Sequence, residues 1–112
     1  PVADISAVDP LLPADLACFR ELRDVLQRYG ALDRFGISLI HRHFDIADDE
    51  ELMEYTDASQ RTLTVKPVKK SDIDWQHTTI TNWKLTEGEE VARIGCGCAS
   101  NSGGHLGYHR GT

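Results

Sequence analysis

Long hydrophobic runs are missing from this 112-residue chain. No stretch approaches the ~20 apolar residues that carry a helix across a bilayer, so a membrane partner is not expected. Cysteine is scarce. Three cysteines are an odd number and far too few for a disulfide scaffold, which points to reduced or metal-bound thiols and a cytoplasmic setting. The opening Pro1-Val2-Ala3-Asp4 has neither the basic stretch nor the apolar stretch of a secretory signal. Positive charge is also short: 12 Lys and Arg stand against 18 Asp and Glu, a net charge of -6. Arg20, Arg23, Arg28 and Arg34 are dispersed, and Lys66, Lys69 and Lys70 make only a brief basic turn. An acidic chain without a segregated basic patch repels phosphate backbones, so nucleic acid is excluded as the expected partner. Glycine fingerprints for dinucleotides or phosphates, a Gly-x-Ser-x-Gly elbow and an isolated pair of catalytic carboxylates are absent as well.

What is present reads as a single α+β domain over residues 1–98, followed by a glycine-rich tail over 99–112. Asp9-Pro10 and Pro13 block a helix before residue 14. Between Ala14 and Tyr29, the residues Cys18, Phe19, Leu22, Val25, Leu26 and Tyr29 recur at helical spacing and form one apolar stripe. Gly30 is the expected stop. The period then falls toward two. Strands are predicted over 37–44, 51–56, 61–66, 77–85 and 90–96, with a hairpin turn at 57–60 and a connector over 69–76. The expected architecture is therefore an N-terminal amphipathic helix packed on a mostly antiparallel sheet of about five strands. In it, Cys18 and Trp83 belong to the core, and Trp75 is an exposed contact.

The chemistry concentrates in sulfur and imidazole. Cys96, Cys98, His105 and His109 follow a C-x-C-x6-H-x3-H spacing, and His41-Arg42-His43 sits in the first predicted strand. Residues i and i+2 of a strand share a face, so His41 with His43, and Cys96 with Cys98, form two aimed pairs. Thiolate and imidazole donors suit zinc first, with iron or copper as alternatives. The expectation is a metal-binding protein whose ligands come from His41, His43, Cys96, Cys98, His105 and His109, with the tail as a lid and glycines easing backbone approach to the ion. Four protein ligands would close the site, and three would leave a position for substrate. The acidic run Asp45, Asp48, Asp49, Glu50, Glu51, Glu54 and Asp57 lacks the spacing of a calcium loop and reads as a solvated edge.

Two other readings compete. Cys96-Gly97-Cys98 is a minimal dithiol suited to thiol–disulfide exchange. A short acidic sheet with Trp75 and Tyr108 also suits a non-catalytic interaction module, either a homo-oligomer or an accessory to a larger enzyme.

Overall fold

A computed structural model describes residues 2–99. It holds one α-helix and one four-stranded sheet among the described residues, an α+β fold. The chain divides into two compact units, Pro1–Asp45 and Ile46–Thr112.

In the first unit, α1 spans Asp15–Arg28. Asp15 holds its start: the Asp15 carboxylate accepts the Leu12 amide at 2.8 Å, and a carboxylate in the first turn also complements the helix dipole. The end is a Schellman turn. Gly30 takes φ +64°, its amide donates to Gln27 and the Ala31 amide donates to Leu26, which satisfies carbonyls that would otherwise be orphaned. None of the helix residues is fully buried, and Cys18 is exposed, so the expected core role of that cysteine is corrected.

Residues 37–44 do not form the expected strand. Ile37, Leu39 and Ile40 are about half exposed, and the backbone makes a single parallel bridge, Asp4↔Arg42. Alternating β-branched and apolar residues bias a backbone toward extension. A strand further requires a neighbour for its amides and carbonyls, and here only Arg42 finds one, through Ala3 and Ile5. This accounts for four strands where about five were expected.

The second unit carries the sheet: β1 (Glu50–Asp57), β2 (Thr62–Lys69), β3 (Thr78–Leu85) and β4 (Ala92–Ala99), in the order β2-β1-β4-β3. β1 with β2, and β4 with β3, are antiparallel hairpin partners; β1 and β4 run parallel at the centre, in register at Met53↔Gly97 and Glu54↔Cys98. The β1–β2 turn is closed by Asp57, whose carboxylate accepts from the Ser59 hydroxyl and the Gln60 amide, while Arg61 takes φ +56°. β2 continues through Pro67, which an edge strand tolerates because its outward side needs no amide. Two short 3-10 turns, Lys70–Asp72 and Trp75–His77, occupy the connector.

The hydrophobic core lies on one face of this sheet. Met53, 2% exposed, packs with Ile73 and Ala99, and Tyr55 and Val68 close around them. Trp83 is not part of it. Trp83 is 47% exposed, opposite Ile94 near the turn end of the β3–β4 hairpin, so its expected core role is corrected.

Candidate functional site

Strand alternation divides the chemistry of the central strands. Gly97 and Ala99 face the Met53 core, and Cys96 and Cys98 face the other way together with Glu54, which sits opposite Cys98 in the parallel ladder. Both thiols are nevertheless buried, at 7% and 2% exposure. They lie on a polar floor. The Cys98 thiol donates to Glu54 Oε2 at 2.9 Å, and the Thr81 hydroxyl stands 3.1 Å from Cys98 Sγ, placed to donate to the sulfur. Asn82 contributes a hydrogen bond to Cys96.

A paired irregularity in the sheet puts these partners there. Between the pairs Thr79↔Cys98 and Asn82↔Cys96, β3 advances one residue more than β4, and between Asn82↔Cys96 and Trp83↔Ile94, β4 advances one more than β3. The extra residue in β3 lets Thr81 and Asn82 both serve the thiol face, which a regular strand forbids. The register is restored at Gly95, where a Cβ would stand 3.4 Å from Asn82. Gly97 has a different reason to be small. A Cβ there would lie 3.0 Å from Thr78 Cγ2 and 3.2 Å from Met53 Sδ. The glycine of Cys96-Gly97-Cys98 is thus fitted to the core beneath the thiols.

Electrostatics keeps the thiols protonated. Burial pushes Cys96 up to about 12, and the negative charge and hydrogen bond of Glu54 push in the same direction. Burial likewise takes Cys98 to about 12, with the hydrogen bond to Glu54 adding to it and that from Thr81 opposing it. Such thiols are poor nucleophiles at neutral pH.

The second donor pair, His41 and His43, lies in the first unit. The rings meet edge to face with centroids 4.9 Å apart. His41 Nδ1–H donates to the Leu39 carbonyl at 2.7 Å. Arg42 between them is anchored on the Val2 carbonyl and on Asp45, at 3.0 and 2.8 Å, with Asp4 at 3.9 Å. The two histidines flank the Asp4↔Arg42 bridge and lie outside the sheet. His105 and His109 lie outside the described residues. Among the described residues, no three His, Cys, Asp or Glu side chains are grouped so as to hold a metal ion.

Sequence reasoning missed Glu54, Thr81 and Asn82 as partners of the thiols. Glu54 was legible only as part of an acidic run, and nothing in the local sequence announces a bulge at Thr81. Another missed pair is Asp74 and His77. Asp74 Oδ2 accepts His77 Nδ1–H at 2.7 Å, and this hydrogen bond holds the Asp74 carboxyl below its ordinary range. Trp75 beside it is part exposed, as expected, with its indole nitrogen donating to the Lys70 carbonyl. No family model matches this chain, and no match was found among curated proteins or solved structures.

Proposed function

We propose that this chain binds a transition-metal ion, with Cys96 and Cys98 as its primary ligands. The observation that carries the reading is their placement: two sulfurs on one face of a buried central strand, surrounded by Glu54, Thr81 and Asn82. Thiolate and imidazole donors are the protein's means of holding zinc, copper or iron. His41 and His43 are the nitrogen pair of the first unit, with one ring nitrogen of His41 already fixed by a carbonyl. His105 and His109 are the remaining donors of this reading. A closed donor set makes the ion structural, and an open position makes it catalytic. A cytoplasmic location suits reduced thiols.

The dithiol reading is less well supported by the geometry. Residues i and i+2 of a strand are separated by roughly 6.6–7 Å, whereas a disulfide needs Cβ atoms about 3.5–4.5 Å apart. Closing Cys96 to Cys98 therefore requires β4 to bend out of the ladder. A metal ion bridges a wider gap than a sulfur–sulfur bond does.

Elemental analysis of protein purified without an affinity tag tests the proposal. The expected result is stoichiometric metal that is lost in Cys96→Ser and Cys98→Ser. Metal-free protein that also fails to take up added zinc, copper or iron overturns it.

A further inference from the structure

We propose that the Cys96–Cys98 site selects a soft monovalent ion of the cuprous class, held between the two sulfurs in near-linear coordination, over tetrahedral zinc. This rests on the metal-binding reading above and specifies its ion.

Three observations converge. The first is span. With zinc–sulfur bonds of about 2.3 Å, a tetrahedral angle brings two sulfurs to roughly 3.8 Å, whereas a linear arrangement lets them stand roughly 4.6 Å apart. Cysteines at i and i+2 of one strand start from a wide separation, and both flanking positions are pinned in the parallel and antiparallel ladders of β4. The wide geometry requires the smaller adjustment. The second is the immediate surroundings of the sulfurs. Thr81 and Asn82 are neutral hydrogen-bonding groups, suited to supporting a sulfur ligand and poor as zinc ligands. The Met53 thioether lies on the opposite face, beneath Gly97, and does not join them. The third is burial. With the thiols at 7% and 2% exposure, little water reaches the site to complete a tetrahedral shell, and a two-coordinate ion needs none. Binding replaces two S–H bonds by two sulfur–copper bonds and releases two protons; copper stays cuprous throughout.

Glu54 is the deciding residue. Its carboxylate lies 2.9 Å from Cys98 Sγ. For a divalent ion it is a natural third ligand. Next to a cuprous bis-thiolate, which is itself an anion, its charge is a burden.

The full chain, reduced and kept free of oxygen, is titrated with Cu(I) and separately with Zn(II) against chromophoric chelators of each ion. The expected result is one tightly held Cu(I) per chain. Cys96→Ser or Cys98→Ser should weaken it by more than the roughly 10- to 100-fold that loss of an outer-shell partner causes. Glu54→Gln should hold Cu(I) as tightly as the parent or more tightly. X-ray absorption of the loaded protein should show two sulfurs and no nitrogen or oxygen shell. Circular dichroism verifies that each variant is folded, and Glu54→Gln keeps both sulfurs should either serine variant fail to fold. Zinc held more tightly than Cu(I), or zinc affinity that falls in Glu54→Gln, overturns the cuprous assignment and leaves metal binding standing. Failure to retain either ion overturns both.

Discussion

Cys18, Cys96 and Cys98 are chemically the same side chain in two different states. Cys18 is exposed on α1, and the other two are buried with their ionisation pushed up to about 12. A thiol displaced that far carries roughly a thousandfold less thiolate at pH 8 than an ordinary cysteine, before access is considered. Iodoacetamide should therefore label Cys18 quickly and the other two slowly in the native protein, with all three equal in denaturant. Mass spectrometry after timed quenching reads this directly, and equal native rates for the three would contradict the site as described. Gly97 makes a second test at this scale. Adding a methyl group at 3.0 Å from Thr78 and 3.2 Å from Met53 overpacks the core, so Gly97→Ala should destabilise by about 1–3 kcal/mol in chemical unfolding. An unchanged midpoint would show that the glycine does not serve the core.

Among the elements, α1 was nearly complete in the sequence: the stripe from Cys18 to Tyr29, the prolines ahead of it and Gly30 behind it bounded a helix found at Asp15–Arg28. β1, β2, β3 and β4 were each legible to within a few residues, because β-branched and aromatic residues between turn signals report a backbone preference. The segment 37–44 carried the same signal without becoming a strand, since pairing is decided by distant chain that a local window does not contain. The same limit hid the thiol partners. C-x-C and H-x-H announce donors through spacing alone, but Glu54 meets Cys98 through a register between strands more than 40 residues apart, and Thr81 reaches it through a bulge. At Gly30 the backbone sits at φ +64°, where a Cβ is disfavoured by about 1–2 kcal/mol. Gly30→Ala should accordingly lower stability by about that amount, with the loss read in thermal unfolding followed at the helical band.

For the molecule as a whole, the thiols couple stability to pH in one direction. Both groups have folded-state values near 12 against an ordinary 9.0, so the native state retains protons that the unfolded chain gives up. Stability from this source is fully present below about 9 and is lost as pH rises from about 9 to about 12. The melting temperature should fall through that window, and Cys96→Ser/Cys98→Ser should flatten the alkaline fall. An alkaline limb of equal steepness in the double variant would show that other groups govern it. On the acid side the sign reverses: Asp4, Asp57 and Asp74 are lowered, by hydrogen bonds from Ser6, Ser59 and His77 first of all, and their contribution is lost as pH drops below the ordinary carboxylate range.

The central pair β1 and β4 has a kinetic consequence. β1 with β2 and β3 with β4 are hairpins that close over short loops, whereas Met53↔Gly97 and Glu54↔Cys98 join chain segments separated by most of the second unit. Loop closure of that length delays their docking until both hairpins exist. The two sulfurs acquire Glu54 only when the hairpins dock. An ion held by Cys96 and Cys98 alone would already be held by the β3–β4 hairpin, and would therefore leave the docking of the two hairpins nearly untouched.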